Sequence, residues 1–234
     1  MAVDGIGAAM SPENSLRRRR IIQWIIAPVV VIVIGLGWRY PALGFAVPVV
    51  MAMGIVGSMF RGRYVCGHLC PRGAFFDRWL GWAGPKRPIP GWMRGMGLRW
   101  TLLVVLMGFM VFNLSRDPSN WRHWGHVFWL MCAVTTGVGL VLVALVHPRG
   151  WCTICPMGTV QNFIGGRRDQ LIIETDKCRL CHKCEKVCPL HLPVTRYKED
   201  GVMRDRDCLK CSECVAACPF KALHWRGKAG EPGS

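Results

Sequence analysis

The chain contains thirteen cysteines, and twelve of them stand in closely spaced groups. One group is C-x3-C at 66–70, one is C-x2-C at 152–155, and two runs of four occupy 178–188 and 208–218. Secreted disulfide scaffolds also use many cysteines, but they are short chains. Thiols this close in sequence suit a shared metal ion or cluster better than long-range bridges. The spacing therefore indicates metal or iron–sulfur ligation as the chemistry of this chain.

The two runs of four cysteines share the pattern C-x2-C-x2-C-x3-C-P. They read CRLCHKCEKVCP at 178–189 and CLKCSECVAACP at 208–219. This pattern is typical of bacterial ferredoxins with two [4Fe–4S] clusters, in which the fourth cysteine of each run binds the other cluster. The predicted iron ligands are Cys178, Cys181, Cys184 and Cys218 in site 1, and Cys208, Cys211, Cys214 and Cys188 in site 2. Such an exchange of ligands predicts one small α+β domain.

The other two groups lie in loops with related sequences. The loops read RYVCGHLCPRGAFFDRWLG from 63 and RGWCTICPMGTVQNFIGG from 149. Their offset of about 85 residues predicts an internal repeat. Together the loops offer Cys66, Cys70, Cys152 and Cys155, the four thiolates that a third [4Fe–4S] cluster requires. We call this group site 3.

Site 3 has other interpretations. Four thiolates also suit zinc, two close pairs suit a redox disulfide, and the loops could be purely structural. His68 lies inside the first loop and is a candidate ligand, a candidate residue beside a quinone, or an interfacial polar side chain. Cys132 stands alone in an apolar segment and is expected to be a small buried side chain.

Four apolar segments predict a membrane domain. They cover 21–38, 42–60, 98–114 and 127–146, and each has at most one basic residue, near an end. Segments of about this length span roughly 30 Å of hydrocarbon as α-helices. The sequence therefore predicts four transmembrane helices in two repeats, and each repeat ends in a Cys-Pro loop.

The basic residues indicate a lipid bilayer as the partner surface. A formal net charge of +16 would suggest nucleic acid in a soluble protein, but here the arginines lie next to apolar segments. They are concentrated before the first segment, between the second and third, and after the fourth. The positive-inside rule then predicts a multi-pass protein of a bacterial inner membrane with both termini and every cysteine group in the cytoplasm. Nucleic acid is not an expected partner.

The predicted fold is a membrane α-helical domain joined to the small ferredoxin domain. Its expected parts are a basic cytoplasmic tail (1–20), a four-helix membrane domain with two cytoplasmic Cys-Pro loops (21–165), a 2×[4Fe–4S] ferredoxin domain (166–226) and a flexible tail (227–234).

This combination of four apolar segments, two Cys-Pro loops and a two-cluster domain resembles a known group. It is similar to the membrane polyferredoxin family typified by the NapH-like quinol dehydrogenase subunit of periplasmic nitrate reductase systems. The resemblance covers roughly residues 20–220. The family's membrane motif is usually C-x3-C-P, which CGHLCP fits, whereas the second loop reads CTICP. The resemblance implies electron transfer between the quinone pool and a partner redox protein.

We therefore expect an electron-transfer subunit of quinol-dehydrogenase type, which places and tunes clusters and makes no bonds itself. No G-x-G-x-x-G follows a predicted strand, and so a stand-alone nicotinamide or flavin enzyme is not expected. One alternative is a reductase for metal handling or for assembly of an oxidase or cofactor. Another is a structural anchor whose ferredoxin domain docks a partner enzyme.

Overall fold

The computed structural model describes residues 12–85 and 87–225. The helices, in chain order, are α1 (Pro12–Leu36), α2 (Ala46–Arg61), α3 (Tyr64–His68), α4 (Pro71–Arg78), α5 (Met96–Arg116), α6 (Trp121–Leu145), α7 (Gly150–Ile154), α8 (Pro156–Gly165), α9 (Lys183–Lys186) and α10 (Glu213–Ala217). Two short strands are β1 (Leu171–Ile173) and β2 (Leu223–Trp225). The predicted flexible tail at 227–234 lies outside the described residues, as does the 1–11 part of the predicted N-terminal tail.

Four of these helices, α1, α2, α5 and α6, confirm the four predicted apolar segments. Together with a 3₁₀ turn before α2, they give candidate membrane spans of 24, 21, 21 and 25 residues. Each is long and apolar enough to cross a membrane. Their outer surfaces expose apolar side chains such as Val49, Val104 and Val141, which suit contact with lipid tails.

Helix α1 begins at Pro12, so the described part of the predicted N-terminal tail, which includes Arg17–Arg20, is helical. Proline is well tolerated at the start of a helix, and Glu13 is favourable near the positive end of the helix dipole. The inward positions of α1 recur every three or four residues: Leu16, Arg19, Gln23, Ala27, Val30 and Val33. Arginine and glutamine thus belong to the buried face of this helix.

The end of the bundle away from the cysteine loops is held by close contacts between α1, α2 and α6. Trp129 on α6 donates Nε1 to the carbonyl oxygen of Ile34 on α1 at 3.0 Å. The 3₁₀ turn Pro41–Phe45 crosses α6 at Gly125, where an added Cβ would collide with the first carbonyl oxygen of the turn. A glycine is needed here because it lets the two backbones approach.

Each Cys-Pro loop forms two short helices separated by its second cysteine. α3 carries Cys66 and α7 carries Cys152, whereas Cys70 and Cys155 are the N-cap residues of α4 and α8. The proline that follows each N-cap is the first helical residue, where its missing N–H removes no hydrogen bond. A helix therefore begins directly after each of the two cysteines that precede proline.

The C-terminal part folds around a two-stranded antiparallel sheet. β1 pairs with β2 so that Ile172 lies opposite His224. The strands come from the two ends of this part, and they enclose both cysteine runs between them in sequence. Buried apolar side chains form the core beneath the runs: Leu171, Ile173, Leu190, Leu192, Val194, Met203, Leu209 and Leu223.

We predict that Gly125→Ala destabilises the purified protein by about 1–3 kcal/mol, the usual cost of overpacking. The added methyl group would press against the backbone of the turn before α2. Thermal unfolding in detergent, followed by circular dichroism, measures the effect. Gly137→Ala on the same helix is the matched control, because nothing lies within 4 Å of its added Cβ. Equal melting temperatures for the two variants would contradict the close packing of α6 against this turn.

Candidate functional site

Sites 1 and 2 each bring four thiols to one pocket. The site 1 pocket is lined by Cys178, Cys181, Cys184 and Cys218, and the site 2 pocket by Cys188, Cys208, Cys211 and Cys214. Each run thus supplies three thiols to one pocket and its last thiol to the other, which is the exchange that the spacing predicts. The structure therefore brings together the residues of both predicted ligand sets.

The backbone between the cysteines bends at equivalent positions of the two runs. Leu180 and His182 have φ values of 53° and 56°, and Lys210 and Ser212 have φ values of 55° and 62°. Residues other than glycine rarely adopt this left-handed region, and such strain persists where the surrounding structure requires it. These bends allow three cysteines of one run to face a common pocket.

Burial gives the thiols of site 2 a strong preference for the neutral form. It raises the pKa of Cys188 to about 12 and the pKa of Cys208 to about 11, because charge is unfavourable away from water. An iron–sulfur cluster binds thiolates and stabilises their charge through its iron atoms. The number of thiols and the bent backbone fit a [4Fe–4S] cluster in each pocket.

Site 3 lies where the two Cys-Pro loops meet the membrane helices. Cys66, Cys70, Cys152 and Cys155 line one cavity of about 180 Å³. Within the described part of the chain, no three histidine, cysteine or acidic side chains converge closely enough to hold a single metal ion. The four thiols surround a volume, as the ligands of a cubane do, whereas a zinc ion needs its thiolates about 2.3 Å from one point.

Two buried arginines join the halves of site 3 reciprocally. Arg63, three residues before Cys66, donates Nη2 to the carbonyl oxygen of Cys152 at 2.8 Å. Arg149, three residues before Cys152, donates Nη1 to the carbonyl oxygen of Cys66 at 3.2 Å. Both arginine side chains are only 1% exposed. Each loop is therefore held by the arginine of the other loop.

The same arginines occupy the space left by the glycine after each Cys-Pro pair. An added Cβ on Gly73 would meet the Arg149 guanidinium, and an added Cβ on Gly158 would meet that of Arg63. Arg149 Nη1 also lies 3.6 Å from Sγ of Cys152. A cation at this distance favours the thiolate that a cluster needs, although burial raises the pKa of Cys152 overall.

Two carboxylates hold the arginines in place. Arg149 donates Nε to Oδ1 of Asp77 at 2.7 Å, and Arg63 donates Nη1 to Oδ1 of Asp207 at 2.7 Å. Arg99, on α5, donates Nη2 to Oδ2 of Asp207 at 2.6 Å. Burial acts to raise the pKa of Asp207, but the hydrogen bond from Arg99 and the charge of Arg63 lower it to about 2. Asp207 is therefore ionised at neutral pH and forms ion pairs with two buried cations.

Site 3 and site 2 are in direct contact through their loops. Gly67, between the two cysteines of the first loop, lies so close to Leu209 that an added Cβ would collide with the Leu209 carbonyl oxygen. Leu209 stands between two ligands of site 2. Arg19 spans the same junction, since it donates Nε to the carbonyl oxygen of Gly67 at 2.9 Å and Nη1 to Oε1 of Glu213 at 2.8 Å. Site 2 is therefore the ferredoxin site next to the membrane helices.

Sequence reasoning missed the role of these arginines. The positive-inside rule used Arg19, Arg63 and Arg149 as cytoplasmic charges, and Arg99 was the basic residue near the end of an apolar segment. In the structure each of the four is buried and ion-paired. One signal was present in the sequence. Both loops carry an arginine three residues before their first cysteine.

His68 does not line the site 3 cavity, and its suggested place beside a quinone stays a prediction. Its ring stacks on Tyr64 with 3.8 Å between the ring centroids, and its Nδ1 lies 3.1 Å from the Tyr64 carbonyl oxygen. Two residues along a helix turn the chain by about 200°, so His68 and Cys66 face opposite sides of α3. Cys132 is buried as predicted, and it does line the cavity.

Two protein-family models match the chain. The family described as "4Fe-4S binding domain" matches residues 43–90 and again residues 126–172. The family described as "4Fe-4S dicluster domain" matches residues 170–220. Each match of the first family contains one Cys-Pro loop, and the match of the second contains both cysteine runs. No solved structure matches the chain significantly.

The relatives among curated proteins are distant. The chain is 26% identical, over 72% of its length, to an uncharacterized protein of Methanocaldococcus jannaschii, and 23% identical, over 77% of its length, to "Putative electron transport protein YccM" of Escherichia coli. It spans 66% and 56% of the length of these two proteins. A 66-residue segment, 24% of the chain, is 30% identical to 32% of NAD(P)H-quinone oxidoreductase subunit I of Gloeobacter violaceus.

The chain therefore contains 4Fe-4S ferredoxin-type domains next to four helices that are able to span a membrane. It is homologous to a protein named for electron transport. The fold, the cysteine sites and the family matches together define the class as an iron–sulfur protein with ferredoxin-type domains.

We predict that Cys218→Ser changes the same spectral component as Cys181→Ser, because both thiols line the site 1 pocket. Likewise Cys188→Ser should change the same component as Cys211→Ser. Electron paramagnetic resonance of the dithionite-reduced protein measures these changes. Cys132→Ser is the control and should leave the spectrum unchanged. A Cys218→Ser spectrum that matched the Cys211→Ser spectrum would contradict the exchange of ligands between the runs.

Proposed function

We propose that this chain is a membrane-bound iron–sulfur subunit that passes electrons between the quinone pool and a partner redox protein. The observation that carries the proposal is the shape of the site 3 cavity. One end is lined by thiols of both Cys-Pro loops, and the other by apolar side chains of α1, α2, α5 and α6. A lipid-soluble electron carrier can enter such a cavity from the bilayer. The first loop lies between this cavity and site 2, and its Gly67 contacts the backbone of Leu209.

The proposal includes a third [4Fe–4S] cluster at site 3, bound by Cys66, Cys70, Cys152 and Cys155. The reciprocal arginines support it, because they make the two loops one structural unit. The repeated match to one family over both halves supports the interpretation of the membrane domain as two helix–helix–loop repeats. The different spacing, C-x3-C against C-x2-C, does not keep the four thiols from lining one cavity.

The three sites would form a path from the bilayer to water. A bound [4Fe–4S] cluster takes up and gives up one electron at a time. Oxidation of one quinol yields one quinone, two protons and two electrons, and so the electrons leave in two single transfers while the protons pass to water. In the opposite direction a partner protein supplies the two electrons and water the two protons. Arg63 and Arg149 hold the two loops together beside this path.

A partner redox protein would dock at site 1, the site away from the membrane helices. Cys181 is exposed there, and the apolar side chains of Leu180 and Phe220 are about half exposed. Arg179 and Lys183 line the same pocket, which suits a partner with an acidic surface.

We place the ferredoxin domain (166–226) and the Cys-Pro loops of the membrane domain (21–165) on the cytoplasmic side of a bacterial inner membrane. The four buried arginines are ion-paired. They therefore contribute less to the excess of positive charge on this side than a count of basic residues in the sequence suggests. Exposed arginines, among them Arg17, Arg18 and Arg61, still lie at this end of the bundle. They support the same orientation by the positive-inside rule.

A second candidate function, a reductase for metal handling or cofactor assembly, is favoured by one observation. Five methionines line the site 3 cavity near the thiols: Met51, Met107, Met110, Met131 and Met157. Thioethers are soft ligands that suit monovalent copper. The flexible methionine side chain also fills irregular apolar space, which serves a quinone equally well.

We predict that a short-chain quinone reoxidises the dithionite-reduced protein, once excess dithionite is removed under anaerobic conditions. The double variant Cys66→Ser/Cys152→Ser should react about tenfold more slowly or not at all, because electrons then lack a site beside the cavity. Return of the iron–sulfur absorbance in a stopped-flow instrument measures the rate. Ferricyanide, which reaches site 1 from water, should reoxidise both proteins at similar rates.

Failure of quinone to reoxidise the wild-type protein would contradict the proposed function. If divalent copper reoxidised the wild-type protein through intact site 3 cysteines while quinone did not, the metal-handling reductase would replace it.

A further inference from the structure

Two polar side chains of the site 3 cavity have buried atoms that the surrounding protein leaves without a partner. Gln161 on α8 and Arg72 on α4 line the cavity beside the cysteines. Oε1 of Gln161 and Nε of Arg72 are buried and have no hydrogen-bond partner among the described residues. Gln161 as a whole is 2% exposed. Buried polar atoms nearly always have a hydrogen-bond partner. One acceptor and one donor that both lack a partner in the same cavity therefore point to a ligand that binds them.

Gln161 is positioned by the packing of α8 against α2. An added Cβ on Gly54 of α2 would lie 2.5 Å from Nε2 of Gln161. The glycine therefore leaves the room that the amide group occupies. Gln161 is the sixth residue after Cys155, the N-cap of α8, so the same helix carries the amide group and begins at a thiol of site 3. The Gln161 side chain therefore lines the same cavity as the four thiols and the apolar side chains of the membrane helices.

Arg72 makes the two halves of the cavity different. It directly follows the first Cys-Pro pair, and its Nη2 lies 3.5 Å from Sγ of Cys132 on α6. The residue in the equivalent place after the second Cys-Pro pair is Met157. The repeat therefore puts a cation on one side of the cavity and an apolar side chain on the other. This asymmetry is not needed to hold four equivalent thiols.

We propose that Gln161 and Arg72 bind the head group of a lipophilic aromatic ligand that interconverts between a diol and a dione. This inference rests on the proposed exchange of electrons with quinone and assigns its head-group site. Gln161 Oε1 accepts a hydrogen bond from a hydroxyl of the diol, and Arg72 donates to an oxygen of either form. The apolar tail lies among side chains of the membrane helices, such as Val33 and Met110.

The two chemical forms of the ligand should respond differently to loss of the amide. A diol offers hydroxyl donors to Gln161 Oε1, whereas a dione has none to offer. Removal of the amide therefore weakens the diol form more through this contact. A residue that only supports the fold would affect both forms equally.

The test is direct binding to purified, cluster-loaded protein with Gln161→Met, which keeps the length and volume of the side chain. Dithionite-reduced protein is dialysed in detergent against a short-chain naphthoquinol, and oxidised protein against the matching naphthoquinone. We expect the dissociation constant of the quinol to rise about tenfold, the usual effect of one buried hydrogen bond. The constant for the quinone should rise less.

Two further variants keep the test sharp. Met53→Leu, an apolar replacement on the exposed surface of α2 and outside the cavity lining, should leave both dissociation constants unchanged. Arg72→Lys, which keeps the charge and loses the guanidinium geometry, should weaken both forms. Iron content measured for every variant shows whether the clusters are retained.

Equal quinol affinity of Gln161→Met and wild-type protein would overturn this inference while quinone reoxidation of the wild type still supported the proposed function. If wild-type protein bound neither quinol nor quinone, the proposed function would fail together with it.

Discussion

Buried positive charge that must be neutralised is the constraint on which the rest of this structure depends. Arg63 and Arg149 lie fully buried beside the thiols of site 3, and Arg99 lies buried at the start of α5. Leaving such a charge unpaired costs about 3–5 kcal/mol. Asp207 is ion-paired with both Arg63 and Arg99, although it belongs to the ferredoxin part while both arginines belong to the membrane part. The ion pairs therefore oblige the two parts of the chain to dock.

Docking in turn sets the order of the three cysteine sites. Asp207 immediately precedes Cys208, a residue of site 2. The ion pair of Asp207 with Arg63 therefore places site 2 next to the Cys-Pro loops. The contact between Gly67 and Leu209 then closes the gap between site 3 and site 2. Site 1 is left with an exposed cysteine. Cations near site 3 also raise the reduction potential of a cluster bound there, which helps it exchange electrons with a carrier from the bilayer.

Local sequence patterns predicted the four long helices and the convergence of both ferredoxin cysteine sets, because helix length and ligand spacing are set by neighbouring residues. The ion pairs were out of reach of such patterns. Arg63 and Asp207 are 144 residues apart, and no local spacing indicates which carboxylate meets which arginine. The orientation of His68 was out of reach for a related reason, since only the helical conformation of α3 decides that it faces away from Cys66. Arginines next to apolar segments looked like topology signals, and only packing shows that four of them are buried.

The most direct test of this account is the iron and acid-labile sulfide content of the anaerobically purified protein, beside the variant Cys66→Ser/Cys152→Ser. Three [4Fe–4S] clusters predict about twelve irons per chain in the wild type and about eight in the variant. Cys132→Ser, which removes a cavity cysteine outside the four-thiol set, should keep about twelve. A wild-type count near eight that the double variant does not change would contradict a cluster at site 3, and with it the electron path from the bilayer.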